Sequence, residues 1–525
     1  MSGVTTVGAD TGEWQPRVNP WLIALAVMLS TFMEVLDTTI VSVAQPNMAG
    51  SLASTNDEAS WVLTSYLVAN AVVLPASGWF ALKFGRRRFL IACTALFTIM
   101  SVMCGLAPTM GFLVLARVLQ GAAGGALQPL SQAILMESFP VAKRGIANAV
   151  FALGVVIAPV IGPVTGGWLT DHWSWRWVFY INVPFGVLSV LMMLRFIEDP
   201  PYIRQARIGR IDGIGLGFLA LWLGALQIVL DRGQQEDWFS SSFISWAAVI
   251  SGISLVVFLA RELTTREPIV DLSVLKDRNF TVGCALILIA GAGMYGGLTI
   301  LPLFLQTLMG YTAELAGVAT MPRGIGALLG SVLAGFLASR VDGRKLCLAG
   351  FVCFGCSCIM LARLNLEVAM SSIILPNIIQ GLGMALIFVS LMTLSIGLMS
   401  NDRIGNATSV YNLARNLGGS IGISLSTTWV IRFAQMHQSD MVAHLTPYDQ
   451  VFQDRLGGLV QHLTPVAGPQ ARGQALTIIQ GILLQQAALK AYMTVFMVTG
   501  LVLLACVPAI LLIRKVESKG QVMMH

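Results

Sequence analysis

The chain has 525 residues, of which 56% are hydrophobic and only 11% are charged. So few charged side chains cannot form the surface of a soluble protein of this size, which excludes a soluble enzyme and predicts a polytopic membrane protein. The formal net charge of +6 does not indicate nucleic-acid binding, because the Lys and Arg residues fall in short clusters between apolar segments, as membrane topology produces.

Fourteen apolar segments are long enough to cross about 30 Å of hydrocarbon. The first follows a polar tail at 1–19 and is too long for the core of a signal peptide, so we expect it to remain as a spanning helix. In chain order the predicted spans are 21–46, 60–82, 89–107, 112–136, 146–170, 177–197, 213–230, 244–260, 280–306, 315–339, 346–362, 371–399, 404–431 and 490–513.

The distribution of basic residues predicts the orientation of these spans. When the loops are assigned alternately to the two sides, the side with both termini collects most of the 32 Lys and Arg residues, including the run from Arg86 to Arg88. By the positive-inside rule, both termini are expected in the cytoplasm.

An internal repeat predicts the domain organisation. GWFALKFGRRR at 78–88 recurs as GFLASRVDGRK at 335–345, and LQG at 119–121 recurs as IQG at 379–381. This offset fits two six-helix bundles separated by one extra helical pair, an all-α architecture typical of secondary transporters with a site between the repeats. The expected parts are a tail at 1–19, a bundle at 20–197, a linker with two extra helices at 198–279, a second bundle at 280–513 that includes an external loop at 432–489, and a tail at 514–525.

Two carboxylates lie deep in the first span, where an ionisable group is a functional hypothesis because its burial in lipid is costly. Of the 26 acidic residues, only Glu34 and Asp37 have this depth. Asp37 lies nine residues before Pro46 at the outer end of its span, and Arg117 lies nine residues after Pro108 at the outer end of span four. The matching depths predict that Asp37 and Arg117 are neighbours.

We hypothesise that Asp37 alternates between pairing with Arg117 and carrying a proton, because burial disfavours its charge and the arginine favours it. A static salt bridge that joins spans one and four is the alternative. Glu34 is nearer the midplane, where it would recognise a polar or cationic group of a substrate or would simply be solvated in a cavity.

Other polar side chains within the spans are candidates for the walls of a cavity. Arg323 and Arg415 are intramembrane charges with a substrate or proton-coupling role, unless Arg323 extends towards a helix end and Arg415 binds backbone carbonyls. The amides that would line the cavity, or would only tie helices together, are Gln128, Asn148, Asn182, Asn412 and Asn416.

Span five has an unusual density of glycine and proline, which favours a smooth, kinkable helix that neighbours approach closely. Tight packing alone explains the pattern, but we favour a pivot that also seals the protein against proton leak. Its residues are Gly154, Pro159, Gly162, Pro163, Gly166 and Gly167. The sequence has no GxxxxGK[ST] motif, so ATP-driven transport by this chain is not expected.

Two segments outside the spans suggest moving or binding parts. The hairpin after span two is a topology signal and, because it is repeated in the second half, also a candidate cytoplasmic gate formed by Gly78, Lys83, Gly85, Arg86 and Arg87. In the external segment 432–489, apolar residues from Tyr448 to Leu463 fall at helical spacing. This pattern predicts an amphipathic helix, either on the membrane surface or as a docking site for a partner.

Several motifs together resemble the fourteen-span drug:proton antiporter family of the major facilitator superfamily, and within it the EmrB-like exporters, over essentially the whole chain. They are LDTTIVSVAQP (36–46), RVLQG (117–121), APVIGPVTGG (158–167), WRWVFYINVPFG (175–186) and LQIVLDRGQQEDWFSS (226–241). The resemblance implies a proton-driven exporter of lipophilic or amphipathic toxic compounds in a bacterial inner membrane, working with an EmrA-like periplasmic adaptor and an outer-membrane channel. It also implies that Asp37 and Arg117 belong to the family's acidic and basic motifs, and that Gly154 to Gly167 form its antiporter motif.

One departure from the superfamily pattern concerns the gate hairpin. An Asp usually precedes the Gly and Arg of this motif, but Leu82 and Lys83 occupy those positions here, as in EmrB-like members. Proton symport for uptake, or a narrower substrate such as a fatty acid, metabolite or siderophore, stays open as an alternative. A membrane enzyme or sensor is disfavoured because four of the five His residues are in external segments and one is terminal. No cofactor or metal is expected.

Overall fold

The computed structural model describes residues 16, 18–139, 151, 157–158, 161–199, 212–233, 236–265, 268–270, 272–337, 340–367, 369–396, 401–446 and 448–514. Within these ranges the chain is built from helices, with three short 3-10 turns and no strand. The expected all-α architecture is therefore confirmed for the part of the chain that is described.

Eight helices are described in the N-terminal half, and two pairs of them form single broken spans. They are α1 (Pro20–Ser51), α2 (Asn56–Phe84), α3 (Arg86–Gly105), α4 (Met110–Gly124), α5 (Leu127–Ser138), α6 (161–172), α7 (Trp177–Tyr180) and α8 (Asn182–Phe196). Local sequence begins these helices: the Thr55 hydroxyl and the Glu58 carboxylate form a reciprocal capping box at α2, and Thr109 caps α4.

The extra pair consists of α9 (Gly213–Arg232) and α10 (Ser242–Thr264). The remaining helices are α11 (Arg278–Thr307), α12 (Ala313–Thr320), α13 (Pro322–Leu337), α14 (Gly343–Leu361), α15 (Ser371–Ile396), α16 (Asn401–Val442), α17 (Gln450–Ala467), α18 (Ala471–Ala505) and α19 (Val507–Ile510).

Twelve candidate spans among the described residues are long and apolar enough to cross a membrane. Two predicted spans are not among them. In span five, predicted at 146–170, residues 146–150, 152–156 and 159–160 lie outside the described ranges, and span thirteen lies within α16. The protein is a multi-pass membrane protein, and the count of fourteen stays a prediction.

Successive spans run in opposite directions, so the helix ends define two faces of the bundle. We call the face at Pro20, where the first span begins, and at Ile510, where the last span ends, the terminal face, and the other one the opposite face. The two halves meet where α2 packs on α16 and where α1 packs on α11. In the extra pair, α9 packs on both α2 and α16 and α10 packs on α9, and a hydrogen bond of 2.6 Å from Gln227 Nε2 to Ser424 Oγ joins α9 to α16.

The outside of the bundle is apolar. Large side chains such as Ile99 of α3, Leu191 of α8, Ile253 of α10 and Val332 of α13 are more than half exposed. An apolar belt of this extent on a soluble protein would cause aggregation, whereas in a bilayer it contacts the lipid chains.

The two longest helices among the described residues are far longer than a membrane requires. α16 has 42 residues and α18 has 35, which correspond to about 63 Å and 52 Å at about 1.5 Å per residue. Both extend beyond the opposite face, and α17 packs on α18 there. We call residues 432–489 the projecting segment; it is largely helical rather than an irregular loop. Its predicted amphipathic helix is present as α17, in which Leu456 is buried.

Candidate transport site

Asp37 and Arg117 form a buried ion pair at the centre of the N-terminal half. Arg117 Nη1 lies 2.5 Å from Asp37 Oδ2, and both side chains have no exposed surface. The other carboxylate oxygen, Oδ1, accepts hydrogen bonds from Asn182 Nδ2 at 2.8 Å and from Gln120 Nε2 at 3.2 Å. The two charges, which the sequence predicts at equal depth, are therefore in contact.

The guanidinium of Arg117 also has several neighbours. Its Nε donates to the Val62 carbonyl at 2.8 Å, its Nη1 donates to Gln120 Oε1 at 2.8 Å, and its cation lies 4.3 Å from the centre of the Tyr66 ring. Through these contacts the cluster joins α1, α2, α4 and α8. An ion pair with this many hydrogen bonds satisfies most of its polar atoms without water.

Glu34 lies one helical turn before Asp37 but has a different environment. Its Oε1 accepts a hydrogen bond of 3.3 Å from Asn70 Nδ2, and Asn70 Oδ1 accepts one of 2.7 Å from Asn416 Nδ2. Its Oε2 is buried without a hydrogen-bond partner in the described part of the chain. These two successive hydrogen bonds, from Asn70 to Glu34 and from Asn416 to Asn70, therefore connect the two halves across their junction.

A cavity of about 240 Å³ lies between the halves, and Glu34 lines it. Of the residues predicted to bind substrate, Gln128, Arg323, Arg415 and Asn416 line it as well. The walls between these polar groups are formed mainly by apolar and aromatic residues: Val35, Leu67, Tyr66, Met294, Tyr295, Leu298, Met384 and Phe388. A mostly apolar cavity with few polar groups suits an amphipathic ligand.

Other predicted residues have different positions. Asn182 belongs to the Asp37 cluster rather than the cavity, Asn412 is half-buried on α16 and does not line the cavity, and Asn148 lies outside the described residues. Asn70 and Gln120 were not among the residues predicted from the sequence, although both are uncharged polar side chains within apolar spans. A polar side chain within an apolar span is the sequence feature that could have identified them.

The described part of the glycine-rich span, α6, is inserted between the two halves. A Cβ atom on Gly166 would lie 2.7 Å from the Ile40 carbonyl oxygen of α1, and one on Gly167 would collide with the backbone of α12 at Ala313. Only glycine allows these approaches. Gly154 and Pro159 of the same motif lie outside the described residues.

A carboxylate closes the junction further towards the opposite face. Asp171, at the end of α6, accepts hydrogen bonds from the backbone N–H groups of Ala313 at 3.2 Å and Glu314 at 2.5 Å, the first residues of α12. His172 Nδ1 lies 3.6 Å from Glu314 Oε2. We call this contact the Asp171 cap: a residue of the N-terminal half satisfies the free N–H groups of a helix in the C-terminal half.

The basic hairpin on the terminal face finds an acidic partner elsewhere in the chain. Asp199, after the end of α8, accepts a hydrogen bond of 2.8 Å from the backbone N–H of Arg87, and Gly85 has a φ of +86° beside it. Lys83 Nζ lies 4.6 Å from the centre of the Trp79 ring, and a Cβ on Gly78 would meet open space. Asp199 supplies a carboxylate that the hairpin itself lacks, and this partner was missed because it is distant in the sequence.

Two helical halves around a central cavity, with ionisable groups within the spans, define a secondary transporter. The family profile described as Major Facilitator Superfamily matches residues 27–423. The chain belongs to this superfamily.

Relatives of known name cover most of the chain. It is 37% identical to the fatty acid resistance protein FarB of Neisseria gonorrhoeae over 95% of this chain and 97% of that protein. It is 38% identical to the multidrug export protein EmrB of Escherichia coli strain K12 over 83% of this chain and 86% of that protein. The resemblance to EmrB-like exporters is thereby confirmed.

Solved structures confirm the fold. A bacterial homologue of the human lysosomal transporter Spinster, 18% identical, superposes with a TM-score of 0.60 over 93% of this chain and 96% of that chain. A D-xylose-proton symporter, 15% identical, gives a TM-score of 0.58 over 78% of this chain and 89% of that chain. At these identities the similarity shows the major facilitator fold alone.

Proposed function

We propose that this protein exports lipophilic or amphipathic toxic compounds in exchange for protons, by alternating access of the central cavity to the two faces. Relatives that are 37–38% identical to it over the aligned residues are named for fatty acid resistance and for multidrug export. The observation that carries the proposal is the buried pair of Asp37 and Arg117 beside, but not within, a largely apolar cavity between the halves.

In this proposal Asp37 carries the proton. Protonation removes its charge and weakens the bond to Arg117, whose guanidinium then depends on Val62, Gln120 and Tyr66 for stabilisation. Because the cluster joins α1, α2, α4 and α8, a change in its bonding alters the packing of four helices at once. Alternation between the paired and the protonated states thereby couples proton movement to a change in the shape of the N-terminal half.

The residues that bind substrate in this proposal are those of the cavity. Glu34, Arg323 and Arg415 supply charge, while Gln128 and Asn416 supply hydrogen bonds. Asn182 acts instead by positioning Asp37, and Asn412, which does not line the cavity, has no direct contact with substrate.

The glycine-rich span acts as pivot and seal. The close approach of Gly166 to α1 and of Gly167 to α12, together with the Asp171 cap, closes the cavity towards the opposite face. Opening towards that face requires these contacts to break. The basic hairpin at Lys83 to Arg87, supported by Asp199, would act on the terminal face as the corresponding gate.

The proposed location is a bacterial inner membrane with both termini in the cytoplasm, because the terminal face carries most of the basic residues. The packing of α9 on one helix of each half, with α10 on α9, supports the domain organisation proposed from the sequence, two six-helix bundles joined by a linker with two helices. The projecting segment then lies in the periplasm. We propose that it docks an EmrA-like adaptor, which connects the transporter to an outer-membrane channel.

The experiment that tests proton coupling uses purified protein in liposomes with an imposed pH gradient. Uptake of a lipophilic dye and the accompanying proton flux are compared for the unaltered protein, Asp37→Asn and the control Asp454→Asn, whose carboxylate is exposed on α17. We expect Asp37→Asn to bind dye but to lose proton-coupled exchange, while the control keeps both. Proton exchange by Asp37→Asn at the normal rate would show that this carboxylate is structural.

A second candidate function is proton-coupled export of a narrower substrate, such as a fatty acid. The relative named for fatty acid resistance, which matches 95% of this chain, favours it. The liposome experiment separates the two functions when it is repeated with chemically unrelated compounds, since a narrow exporter couples only one class of them to protons.

A further inference from the structure

The charge of the central cavity is asymmetric. The C-terminal half contributes two cations to its wall, Arg323 of α13 and Arg415 of α16, whereas the N-terminal half contributes one carboxylate, Glu34. Among the described residues, none of these three groups has an ion-pair partner within 4.0 Å. The cavity wall therefore carries one more positive than negative charge, and because Glu34 and Arg415 act on each other electrostatically, no carboxylate among the described residues is left to neutralise Arg323.

Arg323 is the clearest case of a cation in the cavity wall that lacks a neutralising partner among the described residues. Its side chain has 6% of its surface exposed, its Nε has no hydrogen-bond partner in the described part of the chain, and its Nη2 makes one long contact of 3.5 Å with the Gly297 carbonyl. The Nε of Arg415 is also buried without a partner. A buried guanidinium without a counter-charge is costly, because it loses hydration without gaining an equivalent bond.

Arg117 provides the internal comparison. It is more deeply buried than Arg323, and its Nη2 also has no hydrogen-bond partner among the described residues. Its other atoms, however, have a carboxylate, an amide, a carbonyl and an aromatic ring around them. The fold thus surrounds one buried arginine with partners and leaves two others facing a cavity. This contrast indicates that the partner of Arg323 and Arg415 is a ligand.

The backbones that carry the two arginines are held firmly. A Cβ on Gly381 would collide with the Arg323 carbonyl oxygen, and one on Gly291 would lie 2.6 Å from the Arg415 carbonyl oxygen. The glycines let α15 and α11 pack directly against these positions, which fixes where each side chain leaves its helix. With the backbone fixed, only the side-chain rotamers of the two arginines have to be ordered when an anion binds.

We propose that Arg323 and Arg415 form the head-group site for an amphipathic anion, a compound with one carboxylate, sulfonate or phenolate group on an apolar body. The inference rests on the proposed function and adds the charge of its preferred substrate. The apolar body lies against Met294, Leu298, Met384 and Phe388, which line the same cavity. Arg415 acts electrostatically on Glu34, and the Glu34 carboxylate repels the anion towards the C-terminal half.

The test is equilibrium binding of three fluorescent probes that share one apolar body. Pyrenebutyrate is anionic, pyrenebutanol is neutral and pyrenebutyl-trimethylammonium is cationic. The unaltered protein is placed in nanodiscs of phosphatidylcholine without a proton gradient. We expect the anionic probe to bind at least roughly tenfold more tightly than the neutral one, because hydrogen bonds to charged groups contribute about one such factor each. Equal binding of all three probes, or tightest binding of the cation, would overturn the inference without any variant.

Variants identify the residues. Arg323→Gln and Arg415→Gln should each weaken binding of the anionic probe roughly tenfold and leave the neutral probe within about twofold, which also shows that the cavity is intact. Arg323→Lys should retain part of the preference, and Glu34→Gln should strengthen anion binding. Unchanged anion affinity in both glutamine variants would contradict the proposal.

A membrane lipid is the other source of an amphipathic anion. If phosphatidylglycerol added to the nanodiscs displaces pyrenebutyrate in proportion to its fraction, the site belongs to lipid and the inference fails. The proposed function is judged separately by proton-coupled exchange in liposomes. If the protein exchanges a cationic dye for protons and the binding assay shows no preference for the anionic probe, the proposed antiport is supported and only the inference about Arg323 and Arg415 fails.

Discussion

Two carboxylates on α1, Asp37 and Glu34, are one helical turn apart and have opposite environments. Asp37 has Arg117, Gln120 and Asn182 around it and no exposed surface. Glu34 has one amide hydrogen bond, an oxygen without a partner among the described residues, and a place in the cavity wall. A separation of three residues directs one group into the helical bundle and the other towards the second half.

The difference teaches that burial alone does not define the role of an intramembrane charge. In the Asp37 cluster the two charges neutralise each other and most polar atoms have partners, Arg117 Nη2 and Asn182 Oδ1 being the exceptions among the described residues, and its contribution to stability depends on keeping both charges. Glu34, Arg323 and Arg415 have capacity left for a ligand. The first region is suited to storing a proton and changing helix packing, and the second to recognising what is transported.

The largest expected effect comes from removing one member of the Asp37 cluster. Arg117→Met leaves the Asp37 carboxylate buried without a counter-charge, so we expect a loss of about 3–5 kcal/mol in the free energy of unfolding. Thermal or denaturant unfolding in nanodiscs measures it. The double variant Asp37→Asn with Arg117→Met should recover part of this loss, and a double variant as unstable as the single one would contradict the explanation.

A third carboxylate, Asp171, lies at the contact between the halves. Asp171→Asn removes the negative charge from the start of α12, which should weaken the closed opposite face by about 1 kcal/mol. The cavity should then react faster with an impermeant maleimide at a cysteine introduced for Thr38, a cavity-lining residue, in a background without the eight native cysteines.

The matched control for this measurement is Asp454→Asn, because its carboxylate is exposed on α17 and lies outside the junction. It should leave the labelling rate unchanged. Equal rates for Asp171→Asn and the control would show that the Asp171 cap does not hold the halves together.

The smallest expected effect on stability is that of Glu34→Gln. Its amide oxygen can still accept the hydrogen bond from Asn70, and no ion pair is lost, so the free energy of unfolding should change by less than about 1 kcal/mol. The same unfolding measurement as for Arg117→Met gives a direct comparison. A loss as large as that of Arg117→Met would place Glu34 in a structural network rather than in the cavity wall.

Parts of this protein could be predicted from local pattern. The helical architecture followed from the length and apolarity of the spans, and the proximity of Asp37 and Arg117 followed from equal depth, since helix rise converts residue number into distance. The amphipathic helix in the projecting segment followed from its periodicity. The count of fourteen spans stays a prediction, because much of span five lies outside the described residues.

Other parts depended on contacts between distant segments. No local pattern shows that Asn182 joins the Asp37 cluster while Gln128 lines the cavity, because a helix position gives depth but not the neighbour that it faces. Asp199 beside the hairpin and Asp171 on α12 are likewise carboxylates near helix ends, ordinary in the sequence and specific only in the fold.

The sequence by itself determined that the chain is a membrane protein, which residues lie within its spans, and which family it resembles, because apolarity, charge placement and motifs are local properties. Only the tertiary structure decided which buried charges are neutralised and which face the cavity. The physical reason is that the cost of a buried charge depends on the atoms around it, and packing between remote helices supplies or withholds those atoms.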